Sequence, residues 1–371
     1  MKQKTTILTI ILIVAAVAAG IGCYFWGRST VLSQMKAEQE LNIKINRSEL
    51  DGLGKIEGTI YITGHMSPDS DSVGSAIAYA NLLRQLGYDA RPVVTGEINK
   101  ETQYVLKQAG LEAPELLTDA TGLNMILVDH SGYAQSVEGL EDANVISIID
   151  HHGTGSVTTG NQLVYDARPL GATATIIWIR YRNYGLQPDR QTAIMMLGSL
   201  MSDTNNLTEG TYTFADQQAY EDLKEIAGIT DTDAFYVEMN KASISYEGMT
   251  DEEIFFSDYL EYEAGDVNYG VGCVSAYDDD IARDLADRMK DVIDLAHDER
   301  GMDMAFVQIS IFHDGLSVVY LVPSNEEAAA VIEQCFGSDA VFDGTSYRIE
   351  PGFSRKKVLI PAITDALEDH R

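Results

Sequence analysis

The sequence predicts an α/β protein: a parallel sheet with helices on both faces, followed by a second, smaller α/β unit. Three observations predict it. From Gly58 onward, short β-branched apolar runs alternate with stretches of helical apolar spacing, the pattern of repeated βαβ units. A polar stretch, NKASISYEGMTDE from Asn240 to Glu252, interrupts that alternation before a new strand–helix series begins. Several apolar runs also stop abruptly at Asp and His. In open α/β sheets the carboxyl ends of the strands are where ligands bind.

In chain order, the first segment is Ile7 to Trp26, an uncharged run of 20 residues preceded by Lys2 and Lys4. As a helix it would reach about 30 Å, the depth of a bilayer core. It is expected to be a membrane anchor within residues 1–27. A cleaved signal peptide ending at Ala16, Val17 and Ala18, or a lipoprotein signal at Cys23, are the alternatives. The short basic tail favours a cytoplasmic N-terminus and an extracytoplasmic soluble part, although Arg28, Lys36, Lys44 and Arg47 nearly balance it. Residues 28–57 read as a polar connector, helical only in part.

The first domain is expected over residues 58–240. Its strands are Thr59–Thr63, Arg91–Thr95, Met125–Val128 and Val145–Ile149, rich in Ile, Val and Tyr. Helices are expected over Ser72–Leu86, Glu101–Ala109, Ala172–Tyr184 and Gln191–Met201. Residues 241–252 read as a linker. In the second domain, 253–371, strands are expected near Val267–Ser275, Met304–Phe312 and Ser317–Leu321, with a helix over Ile281–Ala296.

At 371 residues the chain is long enough for two cores. Its formal charge of -31 argues against nucleic acid as a partner, because a phosphate backbone is bound by Lys and Arg. Only Cys23, Cys273 and Cys335 occur, without a CxxC pair, so neither a zinc knuckle nor a thioredoxin-type site is supported.

The chemistry-bearing residues cluster. GHMSPDSDSVGSA, Gly64 to Ala76, places His65, Asp69 and Asp71 on a loop between a strand and a helix. Two more strands end in Asp129-His130 and in Asp150-His151-His152, and an apolar helix ends at Asp203. Mixed imidazole and carboxylate ligands suit divalent manganese, cobalt or magnesium. Two such ions close together can share a water and clamp an in-line phosphoryl displacement, and one aspartate between them reduces their repulsion. His297, His313 and His370 stand outside these clusters and receive no role. Asp278–Asp280 reads as a solvated turn, and no GK[ST] follows Gly74, so there is no phosphate loop.

HxxxDxD, VDH, DHH and SDT, in that order, resemble the DHH phosphoesterase superfamily, and within it the manganese-dependent family II inorganic pyrophosphatases. SAIAY at 75–79, ETQY at 101–104, GATAT at 171–175 and SRKK at 354–357 read like that family too. The resemblance implies a parallel-sheet DHH domain, a smaller DHHA2-like domain and an active site in the cleft between them. It implies two Mn2+ ions, with Co2+ or Mg2+ as substitutes, held by His65, Asp69, Asp71, Asp129, His151 and Asp203, with Asp129 bridging. His152 would contact phosphate or assist proton transfer, and Arg355 and Lys356 would grip phosphate. A homodimer is expected from the resemblance alone.

Three positions depart from the pattern. Leu260, in DYLEY, stands where the family carries a substrate-binding lysine; Gly153 follows DHH in place of Lys or Arg; Asn205 and Asn206 replace an apolar pair. The expected activity is hydrolysis of pyrophosphate to two phosphates by a membrane-anchored enzyme. The alternatives are a metal-dependent hydrolase of another phosphoanhydride or phosphoester, and a non-catalytic sensor of phosphate compounds.

Overall fold

A computed structural model describes residues 2–52, 56–160, 162–208, 210–311 and 317–368; for residues 2–19 and 22 it describes the backbone alone. His313 and His370 lie outside the described residues. The chain divides into two compact units, Met1–Tyr236 and Val237–Arg371.

In the first unit a long helix, α1 (Lys2–Arg47), is followed by a 3-10 turn, Ser48–Leu50. Then come β1 (Ile60–Thr63), α2 (Ser70–Gln85), β2 (Ala90–Val94), α3 (Lys100–Ala109), β3 (Glu115–Leu116), β4 (Asn124–Val128), β5 (Asn144–Asp150) and β6 (Val164–Ala167). Helices α4 (Thr173–Asn183), α5 (Arg190–Asp203) and α6 (Phe214–Ala227) close the series, and α7 (Thr232–Ser243) runs across the division between the units. The strands form one sheet in the order β3-β2-β1-β4-β5-β6, parallel throughout. Ile60, Ile62, Met125–Val128, Ile148 and Ile149 are buried, as continuous apolar runs should be in a parallel sheet covered on both faces.

Helix α2 is buried from Ser70 to Ala80. Its small residues allow this: a Cβ on Gly74 would run into Ser199 and the Met195 carbonyl of α5. The order of the chain reverses at β1, with β2 on one side and β4 on the other. That is the switch point at which an open sheet leaves a crevice; His65 follows β1 and Asp129 follows β4.

The N-terminal expectations are corrected. Among the described residues no helix is long and apolar enough to cross a membrane. Most of Ile7–Trp26 falls on residues 2–19, whose side chains lie outside the described set. Past them α1 carries Arg28, Lys36, Glu38, Glu40, Lys44 and Arg47, charges a hydrocarbon core does not accept. The membrane anchor and the extracytoplasmic placement are withdrawn on that finding. The polar stretch after Trp26 is helical to Arg47, because it is rich in Ala, Leu, Met, Glu, Gln and Lys and free of proline. Its end is docked. Arg47 Nε donates to the Tyr184 carbonyl at 2.9 Å, Glu49 pairs with the buried Arg180 at 2.9 Å, and Leu50 is buried.

The second unit holds α8 (Asp251–Phe256), β7 (Tyr259–Ala264), β8 (Val267–Ala276), α9 (Asp279–Val292), α10 (Leu295–Arg300), β9 (Met304–Ile311) and β10 (Val318–Pro323). It ends with α11 (Glu326–Phe336), β11 (Ala340–Phe342), β12 (Tyr347–Ile349) and α12 (Ile360–Glu368). Its sheet runs β11-β12-β10-β9-β8-β7, with β8 and β9 parallel and every other pair antiparallel. Every residue of β9 and β10 is buried. The single helix expected over Ile281–Ala296 is two, α9 and α10, and His297 in α10 faces the Met302 carbonyl at 2.9 Å through Nδ1.

Candidate metal centre

Seven of the sequence-identified residues come together at the carboxyl ends of β1, β4 and β5 and the last turn of α5. Two groups of ligand atoms, each within 4.8 Å of one another, consist of His65, Asp69 and Asp129, and of Asp71, Asp129, His151 and Asp203. Asp129 belongs to both. A third such group joins Asp129 and His151 to His152.

Local folding explains each placement. Gly64 lies against the start of α2, where a Cβ would collide with Ser72, and the His65 N–H donates to the Ser72 hydroxyl at 3.3 Å. Asp69 caps α2, accepting the Ser72 N–H through Oδ1 at 2.9 Å, while its Oδ2 lies 3.3 Å from His65 Nε2. Such a cap contributes about 1 kcal/mol. Asp71, fully buried in the first turn, accepts the Thr173 N–H at 2.6 Å, the Ala174 N–H at 3.0 Å and the Ser75 hydroxyl at 3.1 Å. The two amides open α4, so the positive end of that helix faces a carboxylate.

Asp129 has left-handed backbone, φ 62°, which Asp tolerates better than most residues. Its two oxygens face in different directions. Oδ2 accepts the Ser72 hydroxyl at 2.9 Å and lies 3.4 Å from His65 Nε2. Oδ1 accepts the Thr173 hydroxyl at 3.2 Å and lies 3.4 Å from His151 Nε2. His151 Nδ1 meets the Leu170 carbonyl at 3.1 Å, which fixes Nδ1 as the protonated nitrogen. Nε2 is buried without a hydrogen-bond partner of good geometry, although Asp203 Oδ2 is also 3.4 Å away. A buried imidazole nitrogen set among carboxylates, with its other nitrogen held by a carbonyl, is the arrangement of a metal ligand.

The electrostatics point the same way. Burial opposes the protonated form of His65, but Asp129 and Asp69 outweigh it and push the histidine up to about 10. Burial likewise opposes protonation of His151, and Asp129 and Asp71 raise it to about 10. Burial, then the charge of Asp129, lifts Asp71 to about 8. Burial, then Asp71 and Asp129, lifts Asp203 to about 10. Burial works against ionised Asp129, yet the neighbouring His151 and His65 imidazoles hold it well below the usual carboxylate range. With all four aspartates ionised the cluster would carry more negative charge than its two histidines neutralise, so without cations it holds protons in their place. Its oxygen and nitrogen donors, without sulfur, fit hard or borderline divalent ions.

His152 is half exposed, and its ring packs edge-on to His151 with centroids 4.1 Å apart. The second-unit residues were placed by sequence on SRKK. Arg355 opens a π-turn, Arg355–Leu359, and donates to the Asp258 carbonyl at 2.9 Å and to Asp258 Oδ1 at 2.8 Å. Lys356 is exposed. Leu260 is 48 % exposed on β7. Gly153 has open space where a side chain would extend. Asn205, Asn206 and Leu207 are all left-handed, and Asn206 also bonds Asp233 and Tyr220. The two asparagines therefore serve a turn that Asn accepts readily.

Sequence reasoning missed the hydroxyls that hold the carboxylates, Ser72, Ser75 and Thr173, together with Ser131, and gave Asp150 no role of its own. Ser72 and Thr173 were visible as short hydroxyl residues in the first turns of helices beside the clusters. Which carboxylate each would meet depends on chain crossings that no local pattern contains.

Comparison with known proteins defines the class first. Residues 59–199 match the DHH family N-terminal domain, and residues 237–366 match the DHHA2 domain. A manganese-dependent inorganic pyrophosphatase of Methanothrix thermoacetophila is 34% identical over 314 residues, covering 83% of this chain and 98% of that protein. One of Bacillus subtilis is 33% identical over 312 residues, covering 84% and 99%. A solved structure described as a family II inorganic pyrophosphatase of Methanococcus jannaschii shares 30% identity at a TM-score of 0.50, covering 83% of this chain and 99% of that one. This chain belongs to the family of manganese-dependent inorganic pyrophosphatases.

Proposed function

We propose that this protein hydrolyses inorganic pyrophosphate to two phosphates, using two manganese ions held by His65, Asp69 and Asp129 and by Asp71, Asp129, His151 and Asp203. The observation that carries the reading is the pair of ligand groups sharing Asp129, in a chain about one-third identical to pyrophosphatases over most of its length. When bound, the two cations supply Lewis-acid charge that acidifies a water and neutralises phosphate oxygens.

The remaining work belongs to the chain. Ser72 and Thr173 hold the two oxygens of Asp129, so the shared carboxylate does not rotate when charge develops beside it. The first-turn amides of α4 keep Asp71 in place. His152 is the imidazole available to a phosphate oxygen or to a proton in transit. Arg355 and Lys356 are the proposed cations for the oxygens of the departing phosphate; a guanidinium fork and an ammonium suit that role. Asp258 holds the Arg355 fork in one orientation before any anion arrives. The same reading includes a homodimer, which light scattering on the full chain tests.

The test is phosphate release by the full chain with Mn2+, comparing pyrophosphate, tripolyphosphate, ATP and a phosphodiester, with Asp129→Asn as the blank. Turnover of pyrophosphate well above the others supports the proposal. Preference for another substrate moves the reading to that phosphoanhydride or phosphoester, with Leu260 as the first cause to examine. Manganese binding without turnover of any of them overturns it.

A further inference from the structure

The aspartate of the DHH motif is not in either bridged ligand group, yet it is 1 % exposed at the end of β5. Both of its oxygens are engaged. Oδ1 accepts the backbone N–H of His152 at 3.0 Å and faces His152 Nδ1 at 3.1 Å, while Oδ2 accepts the Ser131 hydroxyl at 3.0 Å. Asp129 Oδ1 is farther from the same ring nitrogen, at 3.7 Å. Because Asp150 Oδ1 already accepts an amide hydrogen, it is an acceptor, and His152 Nδ1 must be the donor. The lone pair of His152 is therefore on Nε2.

Ser131 is buried and held in turn. Its hydroxyl oxygen accepts the Gly155 N–H at 2.8 Å, and its carbonyl accepts the Val157 N–H at 3.0 Å. A Cβ on Gly155 would overlap the Ser131 carbonyl, so only glycine lets the loop after the histidines approach this closely. The loop, Ser131, Asp150 and His152 thus form a single hydrogen-bonded chain ending at one imidazole.

We propose that Asp150 and Ser131 are positioning residues: they lock His152 in the Nδ1–H tautomer, so that Nε2 is the nitrogen presented to substrate. The reason a lock is needed is that an unrestrained imidazole distributes its proton between both nitrogens, and the partner of one nitrogen decides the state of the other. A ring free to turn or to change tautomer offers the wrong group to a phosphate oxygen part of the time. The inference rests on the pyrophosphatase reading for what His152 touches, but not for the tautomer itself.

The experiment uses the full chain loaded with Mg2+ and labelled with 15N-histidine; His152→Gln identifies the resonance of His152. In the parent protein that ring shows a protonated Nδ1 and a bare Nε2. Asp150→Ala loses this signature and lowers kcat for pyrophosphate about 10- to 100-fold, the range for carboxylates that orient a functional histidine, with KM and manganese affinity little changed. Asp150→Asn keeps an oxygen toward His152 and turns its amide to Ser131, so it retains the tautomer and most of kcat. Ser131→Ala, the milder change should Asp150→Ala fail to fold, shifts the tautomer mixture with a smaller loss of kcat. An Nε2–H tautomer in the parent protein overturns the proposal whatever the activity. So does an equal loss of manganese affinity in Asp150→Asn and Asp150→Ala, which would make Asp150 a ligand. If the tautomer is as stated but pyrophosphate is not turned over by the parent protein, the lock stands and the pyrophosphatase reading falls.

Discussion

The backbone N–H of Thr173 donates to Asp71 at 2.6 Å, and the hydroxyl of the same residue donates to Asp129 at 3.2 Å. One residue at the start of α4 therefore fixes a carboxylate from each of two distant segments. Thr173→Val keeps the amide and removes the hydroxyl. It should lower manganese affinity about 10- to 100-fold, as loss of an outer-shell hydrogen bond does, while Thr173→Ser restores it. Calorimetric titration of the metal-free variants measures this, and an unchanged affinity in Thr173→Val would show that the hydroxyl is idle.

Metal binding should strengthen as pH rises. His65, His151 and Asp203 hold protons up to about 10 and Asp71 up to about 8. Below those values the protonated forms prevail, and each proton must leave before a cation can take its place. Affinity is thus lowest in acid and levels off only once the last of these groups has lost its proton. Titrations in buffers of different ionisation enthalpy should report protons released per Mn2+ bound. Proton uptake, or a pH-independent affinity, contradicts this electrostatic account.

Asp69 allows two roles to be separated by substitution. Asn is as good a helix cap as Asp but is uncharged, so Asp69→Asn should leave the melting temperature nearly unaltered and weaken metal binding. Asp69→Ala should do both kinds of damage, with about 1 kcal/mol lost from the cap. Equal melting temperatures for the two variants would mean that the bond to the Ser72 N–H contributes nothing to stability.

Leu260 is exposed and its replacement disturbs no core contact. If substrate binding lacks a cation because Leu260 stands in place of the family lysine, Leu260→Lys should lower KM for pyrophosphate by about tenfold or more, the worth of one charge-assisted hydrogen bond. Steady-state kinetics at fixed free Mn2+ decide it. A KM that does not fall means that substrate is gripped elsewhere.

The central strands were legible because their residues are apolar without interruption: Met125–Val128 and Val145–Ile149 are strands within a residue or two of where the pattern puts them. The edge strands were not. Glu115–Leu116 is two exposed residues, and Val164–Ala167 contains Asp166, which belongs to the buried pair with Arg180. The polar stretch after Trp26 was misread because charged residues suit a connector and an exposed helix equally well. In the candidate metal centre, residue types and strand ends were readable, because imidazole and carboxylate donors suit a divalent cation and parallel strands bring their ends together. The hydroxyls and the Asp150 relay were not, since Ser131 meets Asp150 only through β4–β5 pairing and the loop around Gly155.

Asp69 and Asp71 each tie a candidate cation ligand to a helix start, so a change that removes their acceptor oxygens loosens the scaffold as well. Gly153 and Leu260 carry no such double duty: one has open space around it and the other faces outward. On the proposed reading, a substitution at either of these positions would alter how substrate is held without disturbing the protein's stability, whereas removing the acceptor oxygens of Asp69 or Asp71 would disturb both.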